Sequence, residues 1–182
     1  MLDGDALNEC AARDNPLMNW ARTSFALGVT VCAQAACAPA LDWRDVVEPA
    51  LHLQAQFPCK PQRVVQEDVG LLQCEAKGQR FVLAWRRFDQ PGEARVAVAQ
   101  AAAHAAQGMK ATVQAVPGIQ MPLGAVDWAG SGRFALMGGD RPAWVQVWAR
   151  GLVFHQALVL SPKESPDLEA ASLFFDSLRG KP

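Results

Sequence analysis

The chain has 182 residues, with 17 Lys+Arg against 18 Asp+Glu and a formal net charge of −1. So balanced a surface lacks the clustered basic charge of nucleic-acid binders and the polybasic run that draws a protein to an anionic membrane. Its length suits one domain with a real hydrophobic core, once any targeting segment is set aside.

The first forty residues read as targeting and not as fold. Met18-Asn19-Trp20-Ala21-Arg22 supplies one basic residue, Phe25 to Ala36 a short apolar stretch, and Ala36-Cys37-Ala38-Pro39-Ala40 a small-residue end. That is the pattern of a secretory signal. Cleavage is expected after Ala33-Gln34-Ala35 or Ala38-Pro39-Ala40. A lipoprotein alternative places the modified cysteine at Cys37. Met1 to Leu17 fits this poorly, because Asp3, Asp5, Glu9 and Asp14 face a single Arg13. The expected translation start is therefore Met18, with residues 1–40 as signal and upstream extension and 41–182 as one exported domain. The apolar stretch is too short, and too interrupted by Gln34, to stay as a transmembrane anchor. Without the first 38 residues, which carry four acids and two bases, 15 Lys+Arg face 14 Asp+Glu.

Export also explains the cysteines. Cys10, Cys32 and Cys37 lie in the segment expected to be lost, leaving Cys59 and Cys74, which an oxidising compartment would pair. The spacing is far from C-x-x-C and no histidine lies nearby in sequence, so neither a redox dithiol nor a metal pair fits.

Along the exported part, Leu41 to Pro49 suggests a lead-in with a helical turn. Leu51, Leu53, Ala55 and Phe57 then alternate with polar residues, the period of a half-buried strand, until Phe57-Pro58-Cys59-Lys60-Pro61 stops it. Arg63 to Gln66 reads as a short strand and Glu67 to Gly70 as a turn. Leu71 to Ala76 and Arg80 to Phe88 read as a hairpin about Lys77-Gly78-Gln79, with Phe81, Leu83 and Trp85 on one face. The alanine-dense Glu93 to Gln107 predicts a helix ending at Gly108 that lies close on a sheet.

Ala111 to Ala115 resumes strand character, followed by a loop at Pro117-Gly118 and Pro122. Ala125 to Trp128 and Arg133 to Met137 read as short strands around Gly130-Ser131-Gly132. Trp144 to Trp148 and Leu152 to Leu160 form a hairpin about Arg150-Gly151. A final helix is predicted with Ser165 as cap, Pro166 at its first position, and Leu168, Ala171, Phe174, Phe175 and Leu178 as its apolar face. Strands in antiparallel hairpins with two helices predict an α+β fold, an antiparallel sheet with helices packed on it.

This order, with particular residues, resembles the PsbP-like α/β/α sandwich family, which includes the oxygen-evolving enhancer protein of photosystem II and exported bacterial proteins. The resemblance rests on Phe57-Pro58-Cys59-Lys60-Pro61, the middle helix, the Pro117-Gly118 turn, the paired strands Trp144 to Trp148 and Leu152 to Leu160, and Ser161-Pro162 with Phe174-Phe175-Asp176-Ser177-Leu178. It covers nearly the whole exported part. It implies a layered α/β/α fold and an accessory or binding role, with no catalytic set to carry across. The chain has no tyrosine; where bacterial relatives commonly place one in the penultimate strand, His155 stands.

No residue pattern reaches a catalytic signature. His52, His104 and His155 lie far apart in sequence, and a metal site would need two or more to converge with a carboxylate. His52 and His155 are expected on polar or mixed strand faces. Gly130-Ser131-Gly132 lacks the strand-turn-helix setting of a nucleophile elbow, and Gly138-Gly139-Asp140 is followed by no helix to cradle a phosphate. Arg86-Arg87 could receive an anion or simply be a solvated strand end. Trp144 and Trp148, on one strand face, are either core or an aromatic contact surface. With His155 they are the candidate contact residues. The expected function is a non-catalytic exported accessory or protein-binding domain with no cofactor or metal. Its partner is an envelope protein, contacted through a sheet face or the loop Pro117 to Gly124. The rival expectation is a small-molecule binder or minor hydrolase with a tryptophan-lined pocket between sheet and helices.

Overall fold

The computed structural model describes residues 41–164 and 166–180, all within the compact unit Cys37–Pro182. The signal segment, the choice of start at Met18, Cys37 and the Ser165 cap lie outside the described residues.

The elements follow one another as β1 (Arg44–Glu48), a 3-10 turn (Pro49–Leu51), β2 (Leu53–Phe57), β3 (Gln62–Gln66), β4 (Val69–Ala76), β5 (Gln79–Arg87), α1 (Pro91–Gly108), β6 (Thr112–Val116), β7 (Gly132–Met137), β8 (Ala143–Arg150), β9 (Val153–Leu160), α2 (Leu168–Asp176) and β10 (Arg179–Gly180). Seven strands form one sheet in the order β3-β4-β5-β9-β8-β7-β6, and β1-β2-β10 form a smaller one. Every pairing is antiparallel. The protein is an α+β fold with helices packed on antiparallel sheet.

The two faces of the large sheet bury different partners. On one face Leu72, Phe81, Leu83, Trp85, Trp148, Ala157 and Val159 meet Leu53, Ala55 and Phe57 of β2 and Ala170, Ala171, Phe174 and Phe175 of α2. Phe174 stands edge-on to both Phe57 and Phe81, at 5.1 and 5.5 Å between ring centroids. On the other face α1 lays Val98, Ala101, Ala102 and Ala106 over Leu136, Ala143, Val145, Val147 and Ala149. That close approach is what the alanine-rich helix permits. The loop before β7 presses equally close to it: a Cβ on Gly130, at φ +92°, would lie 2.6 Å from the Ala99 Cα. β8 is thus covered on both sides and β9 in part, through Phe154, Leu158 and Leu160, while the face toward β3 is left open beyond them.

Local chemistry accounts for most boundaries. Lys77 and Gly78 both take positive φ, 49° and 72°, the requirement of a two-residue hairpin turn with the twist of the flanking strands. Pro91 opens α1, where a missing N–H costs nothing. Asp167 caps α2, its Oδ1 accepting from the Ala170 N–H at 2.9 Å. Gln79, fully buried, donates to the Ser161 hydroxyl and to the Asp167 carbonyl, tying β5 to the start of α2. The Cys59–Cys74 disulfide forms, with 6.0 Å between Cα atoms, and fastens the lead into β3 to β4.

Five expectations need correction. The last helix does not open at Pro166 but at Leu168, because the Asp167 side chain supplies the cap. Leu41 to Pro49 does not hold a helical turn; Arg44–Glu48 is a strand because β2 offers it a full antiparallel register, and the turn follows at Pro49–Leu51. Val69 and Gly70 belong to β4, so only Glu67 and Asp68 turn. Ala125 to Trp128 is no strand but a single bridge, Val126 to Ala149. Leu168, assigned to the apolar face of the last helix, is exposed, and Ala170 takes a buried place instead.

Candidate functional site

The uncovered half of the large sheet, beside α1, forms an open groove. Sheet pairing fixes which side chains share that open face: Val64 stands opposite Leu71, Leu71 opposite Ala84, and Ala84 opposite Gln156. The neighbouring row runs Gln66, Val69, Arg86, Phe154. Nothing among the described residues lies over these rows beyond the edge of α1; Val64 and Val69 remain 50% and 49% exposed. A strand face this apolar is normally half of a core.

The wall of the groove is the flank of α1. Its buried stripe, Ala94, Val98, Ala101, Ala102 and Ala106, leaves Glu93, Val96, Ala97, Gln100 and His104 at helical spacing along the next stripe, facing Arg86, Phe88, Phe154 and Gln156 across about 1030 Å³. Val96 is 55% exposed, a β-branched apolar side chain where a solvated helix flank would carry charge. The Arg86 guanidinium lies 4.8 Å from the Phe88 ring centroid, which keeps a cation at the mouth while its stem adds apolar surface. Aliphatic and aromatic floor, amides along the wall and a few charges at the rim give contact area and orientation, the makings of a recognition surface.

The sequence-nominated residues lie elsewhere. Trp148 and His155 are paired across β8 and β9, stacked at 4.9 Å and 4°, and each 1% exposed. His155 is therefore not on a polar or mixed face: it is core, on the side facing β2 and α2. Burial lowers its pKa from 6.5 to about 4, with the Arg150 charge adding to the effect and the nearby Val153 backbone opposing it. Neither ring nitrogen has a hydrogen bond of good geometry, and the Gln146 side-chain amide nitrogen nearby in the sheet also has none. Trp144 is half-buried against the same core. None of the three lines the groove.

The remaining histidines do not converge. His52 is not in a strand; it ends the 3-10 turn with φ +48°, and its carbonyl accepts from Arg150. His104 is on the groove wall. Among the described residues, no group of three or more His, Cys, Asp or Glu side chains comes together as a metal site would need. The buried Arg133 is committed to structure, donating to Gln146 at 2.9 Å and Asp176 at 2.8 Å while lying over the Phe175 ring. The Pro117 to Gly124 loop lies near that clasp, where Gly118 to Leu123 line a depression with Arg133, Phe175 and Asp176.

No protein-family model matches the chain, and no curated protein matches it. Nor is any helix among the described residues long and apolar enough to cross a membrane.

The groove was not legible as a unit, though its parts were. His104 and Arg86 stand on separate elements, and Phe154 and Gln156 lie within a strand whose two faces are both largely apolar. The missed signal was Val96, an apolar residue off the buried stripe of a helix whose other side already meets the sheet.

Proposed function

We propose that this protein is an exported, non-catalytic accessory domain that binds a partner protein of the cell envelope through the groove between α1 and the uncovered face of β5 and β9. One observation carries the reading: an aromatic floor of Phe88 and Phe154 left open beside an α1 flank that includes the exposed Val96. Burying such a surface is favourable by about 25 cal/mol for each Å² removed from water. An extended or helical segment of a partner has the length to use it.

The disulfide supports the exported setting, since such bonds persist in oxidising compartments. The layering supports kinship with PsbP-like proteins, with α1 on one face of the sheet and α2 on the other, and an accessory role is what that kinship implies. The non-catalytic reading draws on where the polar side chains go. Arg133, Gln79 and Asp167 hold elements together, and His155 is sealed in the core.

Affinity purification from the native host's envelope, with the wild type beside Val96→Glu, tests the proposal. A stoichiometric protein held by the wild type and lost from the variant is the expected result. Equal recovery with both would remove the groove from the account.

A second reading has an observation of its own. The groove volume lies near the range of small-ligand sites, so an apolar small molecule could take the same surface. It would not be tryptophan-lined. Saturable binding of an apolar fluorescent probe, abolished by Val96→Glu in a preparation with no protein partner, would favour it.

A further inference from the structure

We propose that two copies of the chain pair antiparallel through their β3 edges, about a two-fold axis at Val64, joining two seven-stranded sheets into one. β3 is the outer strand of the large sheet, and all five of its residues are exposed. Such an edge offers a row of backbone donors and acceptors to another strand, and proteins usually blunt it with charge, proline or a bulge. Here the blunting is absent within the strand. Its sequence is Gln-Arg-Val-Val-Gln, and its one charge, Arg63, turns aside to Glu48 of β1 at 3.0 and 3.1 Å.

The edge is also held firm. The Cys59–Cys74 bond anchors the chain just ahead of it, the Glu48 clasp holds Arg63, its second residue, and all five residues are in register with β4. A preorganised edge gives up less entropy on pairing than a fraying one.

The sequence around β3 is complementary to itself. With the axis at Val64, Gln62 of one copy stands opposite Gln66 of the other, and Val64 opposite Val64. Beyond the ends, Lys60 of each copy reaches the Glu67–Asp68 turn of the other. These three charges are exposed, and none has an ion pair among the described residues. A two-fold interface repeats each contact, so one complementary arrangement yields two Lys60-to-acid pairings. Each outer strand has a proline, which has no donor, one residue beyond its end, Pro61 at β3 and Pro117 at β6, so charge is what separates the two edges: around β6 the same operation sets Lys110 against Gly118 and pairs no opposite charges. Pairing at β3 would also join the uncovered rows containing Val64 and Leu71 into one apolar band across both copies.

Sedimentation velocity on the disulfide-intact protein over a range of concentrations tests this. A discrete monomer–dimer equilibrium is expected. Val64→Lys sets like charges opposite each other at the axis and should weaken the dimer about tenfold or more, with the monomer's melting temperature unchanged because the site is exposed. Lys60→Asp should weaken it as well, and Lys60→Asp combined with Asp68→Lys should restore it, a recovery that mere surface damage would not produce. Val64→Cys should cross-link to itself under mild oxidation, since directly opposed Cα atoms lie about 4.5–5.5 Å apart, within disulfide reach. A protein monomeric up to about 1 mM, a dimer indifferent to Val64→Lys, or open-ended polymers in place of a closed dimer would each overturn the proposal.

Discussion

Acid should weaken this protein through His155. The imidazole is 1% exposed and stacked on Trp148, and burial lowers its pKa from 6.5 to about 4. In the folded chain the ring stays neutral over a range where the unfolded chain binds a proton. His155 therefore costs nothing above about pH 6.5, and stability falls as the pH drops toward about 4, below which both states are protonated. Linkage across that interval gives a total loss of about 3 kcal/mol, of which about 2 kcal/mol is gone by pH 5. The matched variant is His155→Phe, which keeps a flat ring on Trp148 and cannot titrate. Because both imidazole nitrogens lack a good hydrogen bond, the phenyl should cost little at pH 7.5, as replacing an unsatisfied buried polar group is often neutral or better. Urea unfolding at pH 7.5 and 5.0 reads the difference. With a slope of about 2 kcal/mol per molar, the wild-type midpoint should fall about 1 M further than the variant's. Carboxylate effects are common to both proteins and cancel in that comparison. Parallel pH dependences would refute the reasoning and mean that the ring finds a partner or water when protonated.

Three other outcomes follow from packing. Reducing Cys59–Cys74, or replacing both residues by Ser, should lower unfolding stability by about 3 kcal/mol, the chain-entropy value for a loop of about 15 residues, measured by denaturant titration with and without reductant. Gly70→Val should destabilise by about 2 kcal/mol or more: a Cβ there would lie 1.9 Å from the Trp85 ring that covers it. Blue-shifted tryptophan emission should be lost with it. Asp167→Ala removes the acceptor for the Ala170 N–H and should cost about 1 kcal/mol, read as a lower melting temperature.

Alternation and turn chemistry carried most of the architecture. Lys77-Gly78 and the alanine run specify their elements locally, so hairpin and helix are readable without tertiary context. Where context decided, the reading failed. Arg-Asp-Val-Val-Glu at residues 44–48 has no strong preference of its own and becomes a strand because β2 pairs with it. In β9 both parities hold one polar residue, His155 among Val153, Ala157 and Val159, and Gln156 among Phe154, Leu158 and Leu160. Periodicity could not say which face was buried deeper; Trp148 across the ladder and α2 above it decided. The groove depends on where α1 stops covering the sheet, a matter of helix placement that no local pattern records.

The most direct test of the binding account is quantitative recovery of an envelope protein by the wild type and Val96→Glu, both tagged and expressed at native level. Val96 is 55% exposed, so the variant should keep its melting temperature. The account predicts a near-equimolar partner with the wild type and at least a tenfold loss, about 1.4 kcal/mol, with the variant. Undiminished recovery by Val96→Glu would contradict it.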